Sequence, residues 1–244
     1  MLEKQVNIKS VSNSLKSVAA NTPIHSITKF TTLDFPNHLA SIFWFAKCNM
    51  ACPYCYNPHI VRENGSISID EALAFLKSRQ SRLDGVVLSG GECTLYPALK
   101  ELCSAIKALG YNIKIDTNGS NPELIEELIT CKLVDYIALD YKAPLARYKA
   151  LTHFSDNTRI EQSLELLLAH DFPFEVRTTW HSDLLSLEDI NAIIEELYQK
   201  GYRNTYYVQH YLHVEHTLGE TKKEQTKIDL SKLSSLLPVS LRNF

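Results

Sequence analysis

The 244-residue sequence lacks several features that would place it in a broad class at once. It contains no apolar run near the roughly 18 residues that a membrane-spanning helix needs. Its 25 lysine and arginine residues are scattered rather than gathered into a basic tract, and the formal net charge is −3. These absences argue against a membrane partner and against a nucleic-acid partner.

The amino-terminal stretch also lacks a secretory signal, because MLEKQVNIKS has no apolar core segment. We therefore expect a cytoplasmic protein, in which thiols stay reduced. Clustered cysteines in such a chain favour a metal site or catalysis over disulfide bonds. Hydrophobic residues make up 45% of the sequence and charged residues 22%, which is the composition of a folded globular protein with a sizeable core.

What the sequence does contain is a regular alternation of two kinds of segment, after an irregular lead-in. Apolar segments rich in β-branched and aromatic residues predict six strands, at residues 39–46, 85–90, 112–118, 136–142, 174–180 and 205–212. Segments with helical spacing predict six helices, at residues 68–80, 96–110, 122–132, 158–171, 186–201 and 229–237. Such alternation predicts an α/β fold with a parallel sheet.

The number of units decides between two architectures. A closed eightfold β/α barrel needs two more strand–helix units than the sequence has room for. An open, partial six-stranded parallel β/α barrel fits, as a single domain. We expect an irregular lead-in over residues 1–25, a barrel core over 25–215, and a C-terminal helix and tail over 216–244. Ligands of such sheets bind at the carboxyl ends of the strands.

Three of the six cysteines fall within eight positions, in CNMACPYC, directly after the first predicted strand. Cys48, Cys52 and Cys55 have helical spacing, but Pro53 interrupts the stretch and indicates a loop. A structural zinc site takes four ligands, usually as two close pairs, and apart from His59 no further ligand lies near. Three thiolates suit a [4Fe–4S] cluster with one open iron, which we favour over zinc or buried structural thiols.

The C-x3-C-x2-C spacing, with Tyr54 before the last cysteine, resembles the signature of the radical S-adenosylmethionine (SAM) superfamily. Segments at later strand ends resemble the same family: SGGEC at 89–93, DTNG at 116–119, LDYK at 139–142 and VRTTW at 176–180. The opening ITKFTTLDFPNHLA is most similar to the longer type of anaerobic ribonucleoside-triphosphate reductase activating protein, with pyruvate formate-lyase activating enzymes close behind. Three residues depart from the family pattern, namely Asn37, Tyr56 and Cys93.

The resemblance implies a radical SAM enzyme with two cofactors. Its three cysteines would hold a [4Fe–4S] cluster, and reductive cleavage of SAM would give a 5′-deoxyadenosyl radical that takes a hydrogen atom. The substrate would be a glycine of a partner glycyl-radical enzyme, an anaerobic ribonucleotide reductase, with electrons from a flavodoxin or ferredoxin-type donor. Two alternatives stay open: a radical SAM enzyme acting on a small molecule, and a non-catalytic iron–sulfur or zinc protein.

The same resemblance assigns further residues to the cofactors. Gly90 and Gly91 would let the backbone approach a ligand, or would only form a tight turn. Glu92 would accept hydrogen bonds from the ammonium group of SAM. The resemblance also implies catalytic roles for Lys142 and the three clustered cysteines. The other cofactor-binding residues would be Tyr54, Tyr56, Thr117, Asn118, Asp140, Arg177 and His210.

Charged residues at the strand ends leave alternatives open. Arg177 would bind the carboxylate of SAM with its guanidinium fork, or form an internal salt bridge with Glu175 or Asp140. Asp116 and Asp140 would surround a monovalent cation, as the resemblance implies, or would accept hydrogen bonds from loop amides and the ribose of SAM.

Overall fold

The computed structural model describes residues 22–222 and 227–243 of the chain. These residues form an eight-stranded sheet in which the strands follow one another in chain order. The first strand is antiparallel to the second, and all later neighbours are parallel. The strands are β1 (Ile24–Thr31), β2 (Ala40–Phe45), β3 (Gly85–Gly90), β4 (Asn112–Thr117), β5 (Tyr136–Asp140), β6 (Phe174–Trp180), β7 (Tyr206–His210) and β8 (Val239–Arg242).

Helices connect the parallel strands. They are α1 (Pro58–Arg62), α2 (Ile69–Arg79), α3 (Leu99–Ala108), α4 (Pro122–Thr130), α5 (Leu145–Thr152), α6 (Thr158–Ala169) and α7 (Leu187–Gln199). Ser68 and Ser186 start α2 and α7 with complete capping boxes, so two of the four orphan N–H groups at each helix start are satisfied. Within the described ranges, no helix is both long and apolar enough to cross a membrane.

The two faces of the sheet differ because side chains alternate along each strand. One face packs against the helices in the main core, where burying a residue such as Leu88 stabilises the fold by about 1.5–3 kcal/mol. The opposite face has a smaller apolar cluster near the amino end of β2, formed by Phe35, Ala40, Ile42 and Val87. Towards the carboxyl ends of the strands, that same face becomes polar and lines a cleft.

The six predicted strands are all present and in the predicted order, and the sheet ends in two edges, β1 and β8. The open, partial parallel barrel is therefore confirmed. Two further strands extend it. β1 begins within the stretch that we expected to be an irregular lead-in, of which residues 1–21 lie outside the described part. Its mixed sequence IHSITKFT has too few apolar residues to mark a strand by composition.

The predicted C-terminal helix at residues 229–237 is wrong. Leu230–Lys232 form a single 3₁₀ turn, capped by the side chain of Asp229, and the chain then runs on to β8. Residues 239–242 must be extended to pair with β7, which limits the room for a helix before them. The short helices α1 and α5 were not predicted either, since each has too few turns to show a period.

Candidate active site

A cleft opens at the carboxyl ends of the parallel strands and encloses about 900 Å³, including the part open to solvent. In sheets of this kind, ligands bind at the carboxyl ends of the parallel strands. Most of the residues predicted from the sequence meet there: Cys48, Cys52, Tyr54, Cys55, Tyr56, Gly90, Gly91, Asp116, Asn118, Asp140, Lys142 and Arg177. Glu92, Thr117 and His210 do not line it.

The three clustered cysteines lie on residues 46–57, here called the cysteine loop, between β2 and α1. All three are free thiols, with Cys52 buried and the other two half-buried. The loop is irregular, as the proline predicted. Its backbone is held by hydrogen bonds from Lys47 N to Ile60 O, at 2.6 Å, and from Ala51 N to Thr152 O, at 2.8 Å. The second bond fixes the loop to the end of α5.

Cys48 and Cys52 lie in surroundings that disfavour free thiolates. Burial raises the pKa of Cys48 to about 12, and the nearby carboxyl of Glu92 contributes to the rise. Burial also raises the pKa of Cys52. A buried thiolate is stable only beside positive charge, which metal coordination supplies. Three cysteines on one loop, facing a shared cleft, fit a [4Fe–4S] cluster with three protein ligands.

Gly90 and Gly91 carry the chain from β3 underneath the cysteine loop. Gly90 has a φ of 116°, and a Cβ there would lie 2.4 Å from Phe45 N. A Cβ on Gly91 would lie only 1.9 Å from Lys47 O. Both glycines line the cleft, but the close approach that requires them is between backbone segments of the protein. Gly90 lies against the end of β2, and Gly91 lies against the start of the cysteine loop.

The carboxylate of Glu92 is buried and satisfied within the protein. It accepts hydrogen bonds from Thr94 N and Oγ1 at 3.1 and 2.7 Å, from Thr117 Oγ1 at 2.8 Å, and from Asn118 N at 2.7 Å. Burial raises the pKa of Glu92, and these hydrogen bonds oppose the rise. This carboxylate therefore holds together the loops after β3 and β4, and its contact with the ammonium group of SAM stays a prediction.

The loop after β4 braces the cysteine loop through side-chain amides. Asn118 Nδ2 lies 2.9 Å from Asn49 Oδ1 and 4.0 Å from Cys48 Sγ. Asn49 Nδ2 in turn donates to Ser120 Oγ at 2.8 Å. Sequence reasoning missed Asn49 and Ser120, although both are polar residues directly beside predicted site residues.

An ion-pair network crosses the polar face of the sheet below the cleft. Arg177 Nη2 lies 3.1 Å from Asp116 Oδ2, and Arg177 Nε lies 2.5 Å from Asp140 Oδ1. Lys114 pairs with Asp116 at 2.7 Å and Lys142 with Asp140 at 3.3 Å. Of the two interpretations of Arg177, the structure shows the internal salt bridge with Asp140 and adds Asp116 as a second partner.

Both aspartates in this network stay ionised. Burial alone would raise the pKa of Asp116, but Arg177 and Lys114 lower it to about 2. Burial acts in the same way on Asp140, and there Arg177 and Lys142 lower the pKa. Across residues 22–222 and 227–243, no three His, Cys, Asp or Glu side chains are grouped to hold a single metal ion. The positive charges beside the aspartates come from the protein, and the monovalent cation stays a prediction.

Lys142 is the positive charge of this network that lies beside the cysteine loop. Burial would lower its pKa, but Asp140, Tyr54 and Cys52 raise it well above the ordinary lysine value, so the ammonium group stays protonated. Its side chain is 17% exposed and lines the cleft. A protonated lysine here can bind a carboxylate group of a ligand. Tyr54 is buried and packs within the main core.

Tyr56 joins the cysteine loop to the segment after β7. Its ring stacks on Tyr211 with a centroid distance of 5.2 Å, and its hydroxyl accepts a hydrogen bond from Leu212 N at 2.9 Å. Gly219 N donates to Pro53 O at 2.9 Å further along the same segment. Tyr56 thus packs the cysteine loop and also lines the cleft, and its contact with adenine stays a prediction.

Two other predicted cofactor residues contact neighbouring side chains of the protein. The hydroxyl of Thr117 donates to Glu92 Oε1 at 2.8 Å. His210, the last residue of β7, packs near Trp180 with a ring centroid distance of 5.9 Å. Burial lowers the pKa of His210, which favours the neutral imidazole. Their contact with a cofactor stays a prediction.

Comparison with known proteins identifies the class to which this fold and site belong. Residues 42–179 match the Radical SAM superfamily. This range includes the cysteine loop, residues 90–92 at the end of β3 and the ion-pair network. The chain belongs to the radical SAM superfamily. Its cofactors are therefore a [4Fe–4S] cluster and SAM. The three cysteine thiols and the charged side chains that line the cleft fit these cofactors.

Sequence similarity to individual proteins shows which members of the superfamily this chain resembles. The chain is 33% identical over 180 residues to a Methanocaldococcus jannaschii protein provisionally named a glycyl-radical enzyme activating enzyme, covering 70% of this chain and 73% of that one. It is 32% identical over 126 residues to the pyruvate formate-lyase-activating enzyme of Clostridium pasteurianum, covering 49% and 52%. It is 33% identical over 97 residues to the 7-carboxy-7-deazaguanine synthase of Neisseria meningitidis serogroup B, covering 40% and 41%.

Solved structures share the fold at low sequence identity. SuiB of Streptococcus suis bound to S-adenosylmethionine matches with a TM-score of 0.60 and 17% identity, covering 83% of this chain and 52% of that one. The protein anSMEcpe with bound AdoMet matches with a TM-score of 0.57 and 17% identity, covering 68% of this chain and 49% of that one. This chain spans about half the length of these two structures, and the likeness shows the fold alone.

Proposed function

We propose that this chain takes a hydrogen atom from a glycine of a partner glycyl-radical enzyme and so activates that enzyme. The observation that carries the proposal is the similarity to the M. jannaschii protein, because it extends over 70% of this chain and 73% of that one. The match to the C. pasteurianum activating enzyme supports the same reaction class. An anaerobic ribonucleotide reductase is the partner favoured by the resemblance of residues 27–40.

The role of the cysteine loop is to hold the cluster at the mouth of the cleft. Cys48, Cys52 and Cys55 would each bind one iron, which leaves the fourth iron without a protein ligand. When bound, the cluster and SAM together supply a 5′-deoxyadenosyl radical, which is the hydrogen-abstracting species. Gly91 lets the loop lie close enough to β3 for all three thiols to face the same space.

The ion-pair network prepares the cleft for a charged ligand. Asp116 and Asp140 neutralise Arg177, whose guanidinium is therefore already engaged. Lys142 pairs with Asp140, and its positive charge acts on Cys52 of the cysteine loop. We assign Lys142 to the carboxylate of SAM, since a charge-assisted hydrogen bond there orients the cofactor towards the cluster.

A protein substrate is consistent with the segment that precedes the cysteine loop. Residues 27–40 form most of β1 and the turn into β2, and Phe35 from this turn is buried under the sheet. Phe30 and Leu33 on the same segment are 68% and 91% exposed. These two apolar side chains at a sheet edge are available to contact a partner protein.

A second candidate is a reaction on a small molecule. The observation that favours it is the similarity to two 7-carboxy-7-deazaguanine synthases, from N. meningitidis and Haemophilus influenzae. The H. influenzae match has 31% identity over 129 residues, covering 52% of this chain and 56% of that one. Both matches cover less of the chain than the M. jannaschii protein does.

Transfer of a label from the partner distinguishes the two candidates. Anaerobically reconstituted and reduced enzyme is mixed with SAM and with a glycyl-radical enzyme whose glycines are deuterated at the α-carbon. We expect deuterium in the 5′-deoxyadenosine product, and none with a partner whose radical-bearing glycine is replaced by alanine. Cleavage of SAM without deuterium transfer from an anaerobic ribonucleotide reductase or a pyruvate formate-lyase would reject the proposal and favour the small-molecule reaction.

A further inference from the structure

We propose that Asn118 donates a hydrogen bond to the sulfur of Cys48 and thereby sets the reduction potential of the cluster. The inference rests on Cys48 being a cluster ligand, as in the proposed function, and adds a determinant of how readily the cluster accepts its electron. Asn118 Nδ2 lies 4.0 Å from Cys48 Sγ, at the long end of the range for a sulfur acceptor. The other contacts of this side chain fix its orientation.

The amide of Asn118 is oriented by its neighbours on both sides. Its Oδ1 accepts a hydrogen bond from Ser120 N at 3.0 Å, so the NH₂ group must point the other way. One N–H of that group is directed to Asn49 Oδ1 at 2.9 Å, and the second faces Cys48. A flipped amide would bring two carbonyl oxygens together and lose the bond from Ser120. Asn49 is oriented in turn by its bond to Ser120 Oγ.

A hydrogen bond to the buried carboxylate of Glu92 fixes the position of Asn118. The backbone N–H of Asn118 donates to Glu92 Oε2 at 2.7 Å, and both residues are buried, with 3% and 1% exposure. Thr117 also donates to Glu92, so the end of β4 is held at two successive residues. Glu92 thus acts as a positioning residue, holding the amide donor of Asn118 beside the sulfur.

A donor beside a cluster thiolate acts on the electron that the cluster accepts. Reduction adds a negative charge, part of which resides on the cysteine sulfurs, and an N–H dipole directed at a sulfur stabilises that charge. Hydrogen bonds to the sulfurs are among the factors that set the potentials of iron–sulfur clusters. Cys48 has a second such donor, Met50 N at 3.4 Å. Because Met50 donates through its backbone, Asn118 is the donor to this sulfur that a side-chain substitution can remove.

The test is a potentiometric titration of the reconstituted cluster, followed by electron paramagnetic resonance, in the variant Asn118→Leu. Leucine has nearly the same shape and no charge, but it cannot donate. We expect the equilibrium constant for one-electron reduction to fall about tenfold, which is a potential lower by about 59 mV. The matched control is Asn121→Leu, because Asn121 lies in the same loop and its Nδ2 bonds to Thr94 O instead of a cysteine. We expect the control to retain the wild-type potential.

A second variant covers the case in which leucine prevents cluster binding. Asn118→Asp keeps the oxygen that accepts from Ser120 and replaces the donor with a carboxylate oxygen, so its potential should fall further than that of Asn118→Leu. An unchanged or higher potential in a cluster-bearing Asn118 variant would overturn the inference. Loss of the cluster in both variants, with retention in Asn121→Leu, would also overturn it and leave Asn118 a purely structural role. Wild-type protein without a cluster would instead reject the proposed function.

Discussion

Replacing Gly91 with alanine tests whether the cysteine loop must pass directly over the end of β3. A Cβ at position 91 would lie 1.9 Å from Lys47 O, 2.6 Å from Lys47 C and 3.3 Å from Cys48 N. Real Cβ atoms essentially never approach other heavy atoms within 3.0 Å. The peptide group between Lys47 and Cys48 must therefore move away, and it cannot do so without disturbing the first cluster ligand.

The size of the effect follows from what this peptide group contacts. Lys47 O accepts a hydrogen bond from Glu92 N at 2.8 Å, and Gly91 N donates to Phe45 O at 2.8 Å. Overpacking in a tightly packed region costs about 1–3 kcal/mol. Weakening a buried backbone hydrogen bond adds about 1 kcal/mol. We expect Gly91→Ala to lower the free energy of unfolding by about 2–4 kcal/mol and to reduce cluster binding, because Cys48 shifts.

The assay combines denaturant unfolding with the iron and sulfide content after anaerobic reconstitution. Gly110→Ala is the control, because Gly110 has a φ of 90° and a Cβ there would meet nothing within 4 Å. The control should lose about 1–2 kcal/mol from backbone strain alone and keep a full cluster. If Gly91→Ala binds a full cluster with wild-type stability, the packing account of the glycine pair is refuted.

Three further substitutions test individual residues of the site. Cys52→Ala should abolish the intact [4Fe–4S] absorption and electron paramagnetic resonance signals, and a normal cluster spectrum would remove Cys52 from the ligand set. Lys142→Gln should keep the cluster and weaken SAM binding, measured by equilibrium dialysis, at least tenfold; unchanged affinity would contradict the carboxylate assignment. Asp116→Asn leaves Arg177 and Lys114 short of a counter-charge and should cost about 3–5 kcal/mol at pH 7. Because the pKa of Asp116 is about 2 when folded, below its unfolded value, ionisation contributes on the order of 2 kcal/mol that is lost as the pH falls from 4 towards 2. The difference in free energy of unfolding between the wild type and Asp116→Asn should therefore become smaller as the pH falls. A constant difference, measured by urea unfolding, would contradict this.

The parts of the fold that follow from local sequence could be predicted. Strands such as Gly85–Gly90 are short apolar runs between clear breaks, and Ser68 and Ser186 mark helix starts through contacts three residues apart. The C-terminal segment could not be predicted in this way. Residues 239–242 are extended because β7 offers them backbone partners about 30 residues earlier in the chain, and local spacing contains no information about that pairing.

The same distinction applies to the site. The cysteine triplet is local, and its place after β2 was predictable because the carboxyl end of a parallel strand is where ligands bind. The partners of Arg177 lie on β4 and β5, and those of Glu92 lie on the turn after β3 and at the end of β4. These protein partners of Arg177 and Glu92 could not be predicted, because they come from other strands and turns of the chain. The contact of either side chain with the cofactor stays a prediction.

The most direct test of the account is the electron paramagnetic resonance spectrum of the reduced cluster before and after SAM is added, with the products analysed in the same sample. Three cysteine ligands leave one iron for SAM, so we predict a cluster signal that changes on SAM addition, followed by formation of 5′-deoxyadenosine. A signal unchanged by SAM, with the cofactor recovered intact, would show that the cluster has no open iron and would contradict the assignment of this cleft as a radical SAM site.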